Sequence, residues 1–137
     1  MNFQPMPGRK ANKFEWSLAA TQCNIGGCYR DGFGVAKDMV EAARWFRKAA
    51  EQEHSVAQYS LGVCYYNGDG VAQDKSEAVK WFRKAAERGY DDAQYALGSL
   101  YCEGEGIEKN MIESAKWLRK AAEQGHQAAK EKLAEFK

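Results

Sequence analysis

Several residue types that do chemistry recur through this 137-residue chain, and each suggests a different kind of site. Asp38, Asp74 and Asn110 stand three residues before Glu41, Glu77 and Glu113. Paired carboxylates, as in the first two of these, can act as general acid and base, one giving a proton and the other taking it. His54 and His126, with Cys23, Cys28, Cys64 and Cys102, are the residue types that ligate zinc. Gly-Asp-Gly at 68–70 and Gly-Glu-Gly at 104–106 look like fragments of phosphate-cradling loops. Arg44, Arg47 and Lys48 recur as Lys80, Arg83, Lys84 and as Lys116, Arg119, Lys120, a basic ladder of the kind that binds nucleic-acid phosphates.

Spacing argues against every one of these. Residues 21–53, 57–89 and 93–125 are the same unit written three times with a 36-residue period, the mark of a stacked repeat architecture. The Asp/Asn-x-x-Glu pairs fall at the same phase of each unit, where a helix begins, so they are capping boxes. His54 and His126 share one phase two repeats apart, beyond the few ångströms of a shared metal. Cys23 and Cys28, five residues apart on a helix, are expected on different faces. Cys28 and Cys64 are equivalent positions in neighbouring repeats, about 10 Å or more apart, whereas a disulfide needs Cα atoms within about 7 Å. The glycine loops lack the GxGxxG and GxxxxGK spacings. Glu41, Glu77 and Glu113 lie one helical turn before Arg44, Lys80 and Lys116, so the ladder is expected to be a compensated, solvated face. No catalytic residue, metal or cofactor is therefore expected, and the chain is not expected to be an enzyme.

Composition agrees. Twenty basic residues against nineteen acidic give a formal charge of +1, unlike a dedicated nucleic-acid or membrane-surface binder. No apolar run approaches the ~20 residues of a membrane span, and the first residues lack the apolar core of a secretory signal. Reduced thiols in the cytoplasm are expected, or the periplasm if an export signal precedes this sequence.

The elements that position these residues follow from periodicity. Residues 1–13 predict a loose tail ahead of a single domain over 14–137. A first helix is expected near Ser17, with Phe14, Trp16 and Leu18 covering the apolar end of the stack and Gly26 and Gly27 weakening that helix. Helix A of the second and third units is expected to open with the capping boxes Ser55-x-x-Gln58 and Asp91-x-x-Gln94. Ala57, Leu61 and Tyr65, like Ala93, Leu97 and Tyr101, make one apolar face. Gly62 and Gly98 would let the partner helix approach closely. The loops Gly32-x-Gly34, Gly68-x-Gly70 and Gly104-x-Gly106 end helix A in left-handed geometry. Helix B then carries Ala42, Trp45, Phe46 and Ala49, with Ala78, Trp81, Phe82, Ala85 and Ala115, Trp117, Leu118, Ala121 as equivalents. Gly89 and Gly125 end two B helices where Glu53 ends the first. Residues 127–136, with Leu133 at the leucine position, predict a C-terminal capping helix.

The pattern Ala-x-x-x-Leu-Gly-x-x-Tyr-x-x-Gly-x-Gly-Val-x-x-Asp-x-x-x-Ala-x-x-Trp-x-x-Lys-Ala-Ala-Glu-x-Gly, nearly complete in residues 57–89, closely resembles the Sel1-like repeat, a relative of the tetratricopeptide repeat. The resemblance covers about 21–136. It implies an all-α, right-handed α-solenoid of three helix–loop–helix repeats, and a protein-interaction adaptor that binds a protein or peptide segment in a concave groove lined by the A helices. By the same similarity the groove positions are Cys23, Gly27, Arg30 and Asp31; Tyr59, Val63, Tyr66 and Asn67; and Tyr95, Ser99, Cys102 and Glu103. These vary between repeats while the framework does not. Tyrosines would supply rigid contact area, and Arg30, Asn67 and Glu103 polar contacts. With about three repeats the groove is short, which leaves room for weak self-association. A cysteine-rich secreted branch of the family pairs cysteines within each repeat, and this chain lacks that pairing. Other readings are an envelope-associated protein binding a peptidoglycan-like ligand, and a scaffold with no partner of its own.

Overall fold

The computed structural model describes residues 17–136, which form seven α-helices and no strand. They are α1 (Leu18–Asp31), α2 (Met39–Ala50), α3 (Ser55–Asn67), α4 (Lys75–Glu87), α5 (Asp91–Glu103), α6 (Met111–Glu123) and α7 (Gln127–Ala134). Odd-numbered helices are A helices and even-numbered ones B helices, so the chain is an α-solenoid of three repeats closed by a capping helix. The expectations for residues 1–13, and for Phe14 and Trp16 as a cover, lie outside the described residues. Leu18 is exposed, so it covers nothing.

Each A helix meets its B helix at bare backbone. A Cβ placed on Gly26 would stand 2.7 Å from the Phe46 ring, on Gly62 2.7 Å from Phe82, and on Gly98 2.8 Å from Leu118. That contact seats Phe46, Leu61, Leu97 and Leu118 in full burial. It also carries α1 unbroken through both glycines. The expected equivalence of Ala115 needs correction. Ser114 takes the deep position, because its hydroxyl donates to the Gly98 carbonyl at 2.6 Å and so leaves no unsatisfied polar group.

Loops follow the glycine pattern. Gly32, Gly68 and Gly104 cap the A helices at φ 71°, 76° and 69°. The second glycine of each loop has a different task. On Gly70 a Cβ would overlap the Met39 carbonyl, and on Gly106 that of Lys75, so these loops lie directly on the first turn of the preceding B helix. Nothing stands within 4 Å of such an atom on Gly34. Val71 and Ile107, next in sequence, pack against the core of the preceding repeat.

The capping expectations need a partial correction. Asp38, Asp74 and Asn110 do cap α2, α4 and α6, accepting from the backbone N–H of Glu41, Glu77 and Glu113 at 3.0–3.1 Å. The reciprocal half is absent. The cap N–H groups instead donate to the carbonyls of Tyr29, Tyr65 and Tyr101, which frees the glutamates to pair with Arg44, Lys80 and Lys116. Ser55 and Asp91 are not caps at all; His54 and Tyr90 hold those positions, His54 through Nδ1. Gln58 and Gln94 turn inward to donate to the carbonyls of Ala50 and Ala86, the last turn of the preceding B helix.

The basic ladder is only partly a solvated face. Arg47 and Arg83 are half-buried and donate to the hydroxyls of Tyr65 and Tyr101 in the next A helix, with each guanidinium also over the ring. Trp81 and Trp117 likewise pack against the cores of the preceding helices, under Lys84 and Lys120. Spacing alone did not separate these inter-repeat ties from surface charge.

Glu53 ends the first unit at φ 66°, beside Gly89 at 96° and Gly125 at 91°, and its carboxylate accepts from Gln58 Nε2 at 3.1 Å. Left-handed geometry costs a non-glycine residue about 1–2 kcal/mol, so Glu53→Gly should raise stability in urea unfolding by a fraction of that. A lower midpoint would mean that the Gln58 bond outweighs the strain. Gly34→Ala should cost only the left-handed penalty, about 1–2 kcal/mol. Gly70→Ala adds overlap with the Met39 carbonyl and should cost about 3 kcal/mol or more; equal losses in the two variants would refute the seam described here.

Candidate functional site

The A helices leave a row of clefts between them. One, of about 330 Å³, is lined by Cys23, Gly27, Cys28, Arg30, Asp31, Phe33, Phe46 and Val56 among others. A second, of about 280 Å³, is lined by Tyr59, Val63, Tyr66, Phe82, Tyr95, Ala96, Ser99, Leu100, Glu103 and Lys132. A smaller hollow joins them, sharing Arg30, Phe46 and Ser60 with the first and Tyr59 and Val63 with the second. The structure therefore brings together Cys23, Gly27, Arg30 and Asp31 in one cleft, and Tyr59, Val63, Tyr66, Tyr95, Ser99 and Glu103 in the next.

Two expected groove residues stand apart. Asn67 is exposed and its amide reaches Asp69 at 3.4 Å. Cys102 lines a separate hollow with Met111, Glu135 and Phe136. Both lie in the last turn of helix A. Cys23 and Cys28, expected on different faces, line the same cleft, because Gly27 removes the side chain that would stand between them.

The first cleft is apolar with one charged edge. Gly27 stands where Val63 and Ser99 stand in the later repeats, and the missing side chain deepens it. Arg30 is bound by both carboxylate oxygens of Asp31, at 3.0 and 3.1 Å, which holds the Asp31 carboxyl below the usual range. All four cysteines are free thiols. Burial pushes Cys23 up, and Cys64 up to about 11, so neither is a ready nucleophile.

The second cleft is aromatic. Tyr59 sits edge-on to Tyr90 at 5.4 Å and tilted against Phe82 at 5.5 Å, so its ring is fixed by packing while one side faces the cleft. Burial, then the Asp92 charge, pushes its hydroxyl up. Tyr95 stacks on His126 at 4.8 Å. Tyr66 donates to Glu105 at 2.7 Å, and Lys75 lies over its ring, so its polar tip is already committed. That bond raises the Tyr66 hydroxyl and lowers the Glu105 carboxyl. The Ser99 hydroxyl is buried without a hydrogen-bond partner, and Lys132 reaches Glu103 only at 3.8 Å. The pattern of A-helix positions missed Phe82, Ala96, Leu100 and Lys132. Phe82 belongs to α4 and Lys132 to α7, and nothing in the spacing of a single A helix points to either.

Among the described residues no group of three or more His, Cys, Asp or Glu side chains is arranged to hold a metal, and no helix is long and apolar enough to cross a membrane. His54 and His126 sit at the helix starts between repeats, each bonded through Nδ1 to its own helix, to Ala57 and Ala129.

Comparison with known proteins agrees with this geometry. A Sel1 repeat protein from Oxalobacter formigenes is 42% identical and superposes with a TM-score of 0.82, over 85% of this chain and 48% of its own. The protein c5321, described as a protective antigen present in uropathogenic Escherichia coli strains displaying an SLR fold, is 41% identical with a TM-score of 0.80, over 81% of this chain and 24% of its own. This chain thus spans about half the length of the first and a quarter of the second. Cysteine rich protein B of Helicobacter pylori, 24% identical with a TM-score of 0.70, shares the fold, over 81% of this chain and 86% of its own. None of the curated proteins matches the sequence. The Sel1 repeat pattern matches three successive times, at residues 19–54, 55–90 and 91–126, and the chain belongs to the Sel1 repeat family.

Proposed function

We propose that this chain is a protein-interaction module that holds a peptide segment of a partner along the A-helix clefts, without catalysis. Sel1 repeats generally serve as interaction scaffolds. The observation that carries the reading is the second cleft. Tyr59 and Tyr95, held rigid by neighbouring rings, face it together with Val63 and Leu100. Preset aromatic surface binds with little loss of side-chain freedom. At about 280 Å³ the cleft takes one or two side chains rather than a cofactor. The joining hollow lets a segment continue into the first cleft, where Gly27 leaves room for a second anchor. Glu103, Lys132 and Arg30 would set polar contacts at the rim. Four free thiols support a reducing, cytoplasmic setting.

The test is a photo-crosslinker, benzoylphenylalanine, placed at Val63 in one sample and at exposed Arg119 of α6 in another. Each is exposed to soluble extract and compared with the same protein carrying Ala96→Arg, which fills the cleft without deleting an aromatic ring. A partner peptide crosslinked at Val63, absent from Arg119 and lost by at least tenfold with Ala96→Arg, is the expected outcome. Capture at Arg119 alone, or capture at Val63 that Ala96→Arg leaves unchanged, would move binding off the clefts.

A further inference from the structure

Two joints of the same design hold the three repeats together, and the chain carries the parts for a third. In the first joint Gly70 lies on the Met39 carbonyl, Val71 packs beside it, and Arg47 donates to the Tyr65 hydroxyl. In the second, Gly106 lies on the Lys75 carbonyl, Ile107 packs beside it, and Arg83 donates to the Tyr101 hydroxyl at 2.6 Å. The forward half of each joint, a tyrosine, a glycine and a β-branched residue, comes from an A helix and its loop. The backward half, an arginine and the first turn of a B helix, comes from the repeat before.

One period earlier the forward half is written again as Tyr29, Gly34 and Val35, with no B helix ahead of it among the described residues. No atom stands within 4 Å of a Cβ on Gly34, and Val35 is exposed. One period later the backward half recurs as Arg119 and the first turn of α6, Met111 and Ile112, all three exposed. The residues that differ between joints also match across these two ends. Inside the second joint the loop residue Glu105 pairs with Lys75 at 3.4 Å. At the free ends both members of that pair are apolar. Phe33 stands where Glu105 does and is 78% exposed; Met111 stands where Lys75 does, beside Ile112 at 83% exposed.

We propose that these two ends are one interface: α1 and the Phe33–Gly34–Val35 loop of one copy dock on α6 of a second copy, head to tail, and continue the solenoid. Such a contact is heterologous, so every dimer keeps one free head and one free tail and the assembly can grow. Helix α7 stands in the way, since Ala129 and Leu133 hold the places on α6 that Thr21 and Ile25 of the incoming α1 take. It is the lesser occupant. It has 8 residues against the 14 of α1, and Ala129 is its one buried residue. It also ends before the tyrosine position, leaving a hollow of about 450 Å³ beside Met111 and Phe136. The incoming copy brings the tyrosine, the loop and the Phe33 ring that α7 lacks. Joining therefore exchanges α7 for α1, as in domain swapping, and a helix this short does not persist once its packing is lost. The row of A-helix clefts then runs from one copy into the next.

The inference does not depend on what the clefts bind. Sedimentation velocity of the full chain from about 10 μM to about 1 mM, the range of weak association, should show the mean mass rising with concentration. Hydrogen exchange of the α7 amides should speed up in step with it. Phe33→Asp removes the apolar head and Ile112→Glu the apolar tail, both at exposed positions, so each variant should melt as the wild type does. Each alone should weaken association at least tenfold. Mixed in equal amounts they should form dimers with the affinity of the wild type and nothing larger, because one intact head then meets one intact tail. A wild type that stays monomeric at every concentration, a variant that associates as the wild type does, or a mixture no better than its components overturns the joint. Association that leaves the α7 amides protected overturns the exchange.

Discussion

Contact between bare backbone and a ring or leucine, at Gly26, Gly62 and Gly98, sets the spacing on which everything else in this solenoid depends. Any side chain at these points would push helix A away from helix B. Phe46, Phe82 and Leu118 would then lose their burial, and the turns that deliver the next repeat would start from the wrong place. Because the crossing is fixed by an absence of atoms, glycine stands there in all three repeats. The positions one residue later, Gly27, Val63 and Ser99, face the clefts and differ from repeat to repeat. Framework and cleft lining are thus adjacent in sequence yet independent in their demands.

Neighbouring repeats are joined by a different set of contacts. The second loop glycine rests on the previous B helix, Val71 and Ile107 fill the gap beside it, and Arg47 and Arg83 reach forward to Tyr65 and Tyr101. Buried glutamines bridge back to the preceding B helix. Gln94 is further paired with Gln124, whereas Arg88 occupies the matching place one repeat earlier and the Gln58 carbonyl oxygen is left without a partner. A solenoid gains its stiffness from such nearest-neighbour terms, so a difference between two seams is a difference between two joints.

Fold was legible in the sequence because its signals are local and repeated. Glycine pairs, capping residues and the i, i+4 apolar spacing each recur in phase, and every repetition reduces the chance that one is accidental. What spacing misplaced were side chains with two physically sensible destinations. Gln58 and Gln94 suit a capping box as well as a buried bridge; the carbonyls of the preceding helix decide between them, and those come from another repeat. Arg47 and Arg83 suit a solvated ladder as well as a tie to tyrosine. Within the clefts, Tyr59, Val63, Tyr95 and Ser99 followed from register, though Ala96 and Leu100 of α5 were missed and Asn67 and Cys102 stand apart. Phe82 and Lys132 did not, since they arrive from other helices and only the assembled stack brings them in.

Trp81 and Trp117 lie in successive seams, each packed on the helices before it and each covered by a lysine. Their indole N–H groups are buried without acceptors. An indole in that state emits at shorter wavelength than one in contact with water, and an overlying ammonium alters its emission further. The two joints between the three repeats therefore each hold an indole whose surroundings change when that joint opens, so tryptophan emission is a local reporter of the stack coming apart.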